Sequence, residues 1–200
     1  MGDVQVRVLC GADIAPYRDA VAALRIKVFR DFPYLYDGDL DFEAKYLRVY
    51  AESSRSVFVL ALAQGRVIGA STGIPLNDDA DAFQQPFRAR GMAVDSVFYF
   101  GESVLLPDYR GRGLGHLFFD AREAHARALG GFDWTAFAAV DRTPDDARRP
   151  ENYRGNESFW QKRGYLRQPD MPMRLAWKEL GNQTESAQTL TFWLRRLENV

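Results

Sequence analysis

The chain has 200 residues, 46% hydrophobic and 14% aromatic, enough for one substantial core and too apolar for a disordered segment. A formal net charge of -1 leaves no electrostatic footprint for a nucleic-acid backbone, which argues against DNA or RNA as a partner. The lone Cys10 cannot close an internal disulfide, no window is apolar enough to span a membrane, and Met1-Gly2-Asp3-Val4 opens neither a signal peptide nor a myristoylation motif, so a cytoplasmic protein is expected.

Val4 to Leu9 alternates apolar and polar residues and reads as a strand. Val21, Leu24, Val28 and Phe29 recur at helical spacing from Pro16 to Phe29, and Pro33 stops that helix in an aromatic turn carrying Tyr34 and Tyr36. A second helix is predicted over Phe42–Ala51, then a hairpin of strands Ser56–Ala63 and Arg66–Ile74 turning at Gln64-Gly65. Pro75 to Ala93 reads as a long polar connection. Val94 to Leu106 is the most hydrophobic strand, and Leu114–Ala128 is an amphipathic helix with Leu114, Leu117, Phe118, Ala121 and Ala124 on one stripe. A strand over Phe132–Val140, a short helix over Glu151–Arg163, and strands near Met173–Glu179 and Gln188–Arg195 complete the chain. No repeat or linker divides it. The order β-α-α-β-β-β-α-β-α-β-β predicts a single α/β domain over residues 1–200 with a central twisted, mixed sheet.

Between the hydrophobic strand and its helix lies Asp108-Tyr109-Arg110-Gly111-Arg112-Gly113-Leu114-Gly115-His116. Glycines at 111, 113 and 115 permit positive φ and leave no side chains over the backbone. Loop amides and the first helical turn can therefore converge on an anion, as a pyrophosphate cradle would. The position that a dinucleotide fingerprint needs as glycine is His116, and no P-loop string occurs.

The string Arg110-x-x-Gly113-x-Gly115 resembles the [QR]-x-x-G-x-[GA] signature of the GNAT N-acetyltransferase superfamily, and Ser158 to Tyr165 is similar to that family's second motif. The resemblance spans about residues 94–168 and implies a GNAT fold: a mostly antiparallel sheet flanked by helices and splayed at a coenzyme A site. It implies acetyl-CoA as co-substrate, bound by backbone groups of Ser103, Val104 and Leu105 along the pantetheine arm and by Gly111, Gly113, Leu114, Gly115 and His116 at the pyrophosphate. Arg110 and Arg112 are the implied contacts to nucleotide phosphates. The reaction implied is direct transfer of an acetyl group to a primary amine, a small molecule or a peptide, in a ternary complex. The family's usual acid, a tyrosine in the second motif, is replaced by Trp160, whose indole N–H is too weak an acid for that role.

An ammonium is not a nucleophile, and with a pKa near ~10.4 only about one amine in 10³ is neutral at pH 7. A base is required. Glu102 interrupts the apolar row Phe98, Phe100, Val104 and Leu106, where burial would raise its pKa toward neutrality; the alternative is that it merely pairs with an arginine. Tyr153 is the first candidate acid, with Tyr165 beside it, and Tyr34 and Tyr36 are candidates to line the acceptor pocket. Five carboxylates between Asp31 and Glu43 would attract a cationic acceptor, or form only a solvated acidic face. His116 and His125 have no partners for a metal site, and none is expected. Transfer of a longer acyl chain and a non-catalytic coenzyme-binding domain are the competing readings, and a homodimer is compatible with all of them.

Overall fold

The computed structural model describes residues 3–198, so Met1 and Gly2, part of the N-terminal reading, lie outside it. Eight strands form one open, mixed sheet: β1 (Val4–Cys10), β2 (Val57–Ala63), β3 (Arg66–Pro75), β4 (Val97–Tyr99), β5 (Ser103–Leu105), β6 (Trp134–Val140), β7 (Leu166–Lys178) and β8 (Glu185–Arg196). Their order is β1-β2-β3-β4-β6-β8-β7, with β5 also paired to β3. Only β4 and β6 run parallel; every other pairing is antiparallel. Helices α1 (Arg18–Phe29), α2 (Leu40–Glu52), α3 (Asp81–Ala89), α4 (Leu114–Leu129) and α5 (Glu157–Lys162) flank it.

Two apolar clusters share the sheet. One, around Val21, Leu24, Leu47, Tyr50, Leu60 and Phe192, includes residues of α1 and α2; the other, around Val59, Phe98, Phe100, Phe118, Phe119 and Tyr165, includes residues of α4. Strands buried on both faces read as continuous apolar runs, as β2 does with all seven residues buried.

Five features depart from expectation. The acidic connection after β3 contains α3, whose Phe83 and Phe87 are buried four residues apart; its nine residues and internal Pro86 kept the helical period short. The continuous strand expected over Val94–Leu106 is broken into β4 and β5 around Phe100-Gly101-Glu102. The α4 stripe is rotated: Phe118, Arg122 and Ala126 face the sheet while Leu117 is 47% exposed. Helix α5 is also shorter than predicted, and β7 begins at Leu166, before the expected Met173.

Candidate active site

The break in the hydrophobic strand opens the sheet. Phe100 N–H still bonds Ala136 O of β6 at 2.7 Å, but beyond it β5 pairs with β3 while β6 stays with β8. Leu106 N–H bonds Ile68 O at 3.0 Å, so by antiparallel alternation the N–H and C=O of Ser103 and Leu105 face the other way, into the cleft. Val104, wholly buried, turns its backbone toward β3, so of the three backbone candidates only Ser103 and Leu105 face the cleft.

The break has a local cause. A Cβ on Gly101 would collide with the Tyr50 hydroxyl and lie 2.7 Å from Thr72 Oγ1, so only glycine fits there. Arg122, reaching from α4, then ties the bulge down. It donates to Thr72 O at 3.2 Å, Glu102 O at 3.0 Å and Ser103 Oγ at 2.8 Å, and its guanidinium stacks 4.1 Å from the Phe100 ring centroid. Burial pushes its pKa down to about 10, which still leaves it charged at neutrality.

A cavity of about 700 Å³ occupies the cleft, walled by β5, β6, the glycine loop, the N-terminal half of α4 and the turn after α1. Gly111 and Gly113 adopt φ of +75° and +79°, and α4 begins at Gly113 without a side-chain cap. Among the described residues, the N–H groups of Gly111, Arg112, Gly113, Leu114 and Gly115 have no protein acceptor, whereas His116 N–H bonds Gly113 O at 3.0 Å. Five consecutive unpaired amides at the positive end of a helix of 16 residues suit a phosphate group. Arg110 lines the cavity and donates to Leu105 O at 3.1 Å. Arg112 folds back onto Asp108 O at 2.6 Å and is not part of the wall. The His116 ring packs edge-on against Phe159 at 4.9 Å, beside the loop.

Glu102 also lines the cavity, with its side chain only 2% exposed. Its Oε2 pairs with Arg25 of α1 at 2.5 Å and accepts from Tyr46 of α2 at 3.1 Å, while Oε1 has no partner. The carboxylate thus sits in the cavity wall and pairs with an arginine, the pairing that the sequence offered as the alternative. Burial raises its pKa, Arg25 opposes that, and the nearby Glu43 adds to it.

Tyr153 is half-buried in the cavity wall, edge-on to Phe32 at 4.7 Å and with Arg149 5.2 Å from its ring. Burial and Glu157 raise its pKa, so it holds a proton at neutrality. Tyr165 is fully buried against Thr135 and Glu123, away from the cavity lining. Trp160 lines the wall and packs on Phe137 and Trp193. Tyr34 faces the cavity, whereas Tyr36 is buried and bridges to Glu179 in the sheet direction. The acidic run does not form one face: Glu43 is buried against Arg25, Asp37 pairs with Lys178 at 2.7 Å, Asp39 caps α2, and Asp31 alone lines the cavity. No cluster of metal-ligating side chains occurs among the described residues, and no helix among them is long and apolar enough to cross a membrane.

Sequence reasoning missed Arg25, Tyr46 and Arg122, and read Glu43 only as one carboxylate of the acidic run. Arg25 and Arg122 occupy buried helical positions four residues after Val21 and Phe118, a phase that a charge-avoiding reading skips.

A split mixed sheet with a glycine loop opening a helix at the split defines the class of coenzyme-A-dependent acyltransferases. Residues 22–149 match the sequence model of the Acetyltransferase (GNAT) family, and the chain belongs to that family. Among solved structures it is similar to an acetyltransferase of the GNAT family from Streptococcus pneumoniae, at 13% identity over 98% of this chain and 100% of the other, with a TM-score of 0.60. A Salmonella typhimurium structure with its cofactor acetyl-CoA aligns at 14% identity over 98% and 95%, with a TM-score of 0.58. A ribosomal-protein-alanine N-acetyltransferase from Brucella melitensis aligns at 13% identity over 96% and 99%, with a TM-score of 0.59. At these identities the likeness is one of fold. A search of curated proteins finds no sequence match.

Proposed function

We propose that the protein, working as one domain, transfers an acetyl group from acetyl-CoA to a primary amine by direct attack in a ternary complex. The observation that carries this reading is the row of five unpaired amides, Gly111 to Gly115, at one side of a cleft whose wall holds a buried carboxylate. The amides would hold the pyrophosphate, with Arg110 at the nucleotide phosphates. Ser103 and Leu105 would pair with the pantetheine arm as an added strand. Glu102 would take a proton from the ammonium, directly or through a water; the amine nitrogen then attacks the thioester carbonyl. As the C–S bond breaks, Tyr153 would protonate the departing thiolate, and the second proton, lost from the nitrogen as the amide forms, would restore the Tyr153 hydroxyl through water. Tyr34 and Phe32 would flank the acceptor. The acetyl-CoA in the Salmonella neighbour supports the choice of co-substrate.

The test has two stages. Saturating acetyl-CoA at a hundred times its dissociation constant should stabilise the fold by about 2.7 kcal/mol. A panel of primary amines should then release free thiol from acetyl-CoA above the rate without amine. A melting temperature unmoved by acetyl-CoA, CoA and longer acyl-CoAs would end the reading; stabilisation without thiol release would point to a binding domain. Faster turnover of a longer acyl-CoA would shift the donor and leave the site intact.

A further inference from the structure

One guanidinium serves two buried carboxylates. Arg25 Nε pairs with Glu43 Oε2, and its NH1 lies 2.5 Å from Glu102 Oε2. All three side chains are buried, at 8%, 0% and 2% exposure. The Arg25 guanidinium is further pinned 4.1 Å over the Tyr46 ring and 5.0 Å over Phe29. Tyr46 Oη reaches Glu102 Oε2 and lies 3.1 Å from Tyr50 Oη. Glu43 Oε1 and Glu102 Oε1 are both buried without a hydrogen-bond partner.

Two carboxylates cannot both be neutralised by one cation, and a lone buried ion pair would be complete without the second acid. Glu43 therefore has an effect beyond fastening α2 to α1: its charge opposes that of Arg25 at Glu102 and raises the proton affinity of that carboxylate. The two donors within hydrogen-bond geometry, Arg25 and Tyr46, meet on Oε2 of Glu102, with the Thr72 hydroxyl also close to the carboxyl; this leaves Oε1 as the oxygen able to receive a proton. We propose that Arg25 and Glu43 are positioning residues for acetyl transfer, which orient Glu102 through Oε2 and keep Oε1 ready to accept a proton. This rests on the reading of Glu102 as the base.

The groups facing Glu102 come from every element around it. Arg25 stands on α1, Glu43, Tyr46 and Tyr50 on α2, Tyr34 on the turn between them, Thr72 on β3 and Asp79 after it. Tyr99 lies on β4 and Arg122 on α4. Arg122 spends its donors on backbone carbonyls and Ser103, so Arg25 is the cation that contacts the carboxylate.

The coupling makes a prediction with two signs. Glu43→Gln keeps the shape and an acceptor for Arg25 but removes the competing charge, so Glu102 should titrate at lower pH, by about one unit or more. Tyr46→Phe removes a donor to the ionised form and should move Glu102 to higher pH. Both are read by carbon-13 NMR of glutamate side-chain carboxyls in the whole protein, with the Glu102 resonance identified by its loss in Glu102→Gln. This readout needs neither acceptor nor activity. With an amine found by the thiol-release screen, the acidic limb of kcat should move in the same two directions. Midpoints that stay put, or that both move the same way, would reduce Arg25 and Glu43 to a fastening between helices. Should Glu43→Gln not fold, Arg25→Lys decides: a lysine cannot span both carboxylates, so the Glu102 midpoint should move to higher pH, and a midpoint that stays put overturns the proposal. Turnover in Glu102→Gln close to wild type would instead overturn the base, whatever the midpoints do.

Discussion

In the proposed reaction, Glu102 is where two demands on one carboxyl meet. A base for an ammonium must be ionised at rest, yet bind a proton well enough to take it from a donor with a pKa near ~10.4. Burial raises its proton affinity, while Arg25 and the hydrogen bond from Tyr46 act in the opposite direction. Glu102→Gln should therefore keep acetyl-CoA binding and lower turnover by about 10²–10⁴, with recovery at high pH as the amine loses its proton unaided. Kinetics from pH 6 to 10 check this, and an unchanged rate at pH 7 would send the proton elsewhere. At this scale the sequence was half legible. Glu102 is conspicuous because it interrupts an apolar row in one strand, where period 2 is easily read. Arg25 and Glu43 are not, because their partnership joins residues 18 apart on two helices, and no local pattern registers that.

The elements that matter are a loop and a bulge, each made by glycine for a different reason. Gly113 has φ of +79° with open space where a Cβ would point, so its requirement is conformational. Gly113→Val should destabilise the fold by about 1–3 kcal/mol and abolish the thermal shift with acetyl-CoA, because the amides no longer converge. Gly101 is under steric demand: its missing Cβ makes room for Tyr50 and Thr72. Gly101→Ala should cost about 1–3 kcal/mol through overpacking and lower turnover together with stability, since the bulge carries Glu102 into the cleft. Denaturant melts and thiol release on both variants separate these cases, and a Gly101→Ala protein of wild-type stability would refute the steric account. The loop glycines were readable from spacing alone. The bulge was not, because the 13 residues over 94–106 read as one predominantly hydrophobic strand, and the break arises from contacts with α2 and β3. Helix α3 went unread for a related reason: it is short, and its buried face is two phenylalanines in a polar stretch.

Over the whole molecule, the interior holds polar groups besides those of the cleft, and Asp79 is one of them. It is 7% exposed; Oδ1 accepts from Ala80 N–H at 2.7 Å and Oδ2 has no partner. Burial, with Glu102 adding to it, raises its pKa from the ordinary 3.8 to about 6. The folded state then binds this proton more tightly than the unfolded chain does. Asp79 therefore contributes its full stability below about pH 3.8 and loses it as pH rises through about 6. The difference corresponds to about 3 kcal/mol of penalty at neutral pH. Asp37, Asp81, Asp146 and Glu179, held low by hydrogen bonds and cations, push the other way, so the pH profile of the wild type alone cannot isolate Asp79. A comparison of variants can. Asp79→Asn keeps an acceptor for Ala80 N–H and removes the charge. It should melt higher than wild type at pH 8, by about 2–4 °C for each kcal/mol recovered, and the gap should close by pH 4, where the aspartic acid is itself neutral. Calorimetry of both proteins at the two pH values decides it: a gap that is the same at pH 4 and pH 8 would mean that Asp79 stays ionised in the fold and that Oδ2 finds its compensation elsewhere.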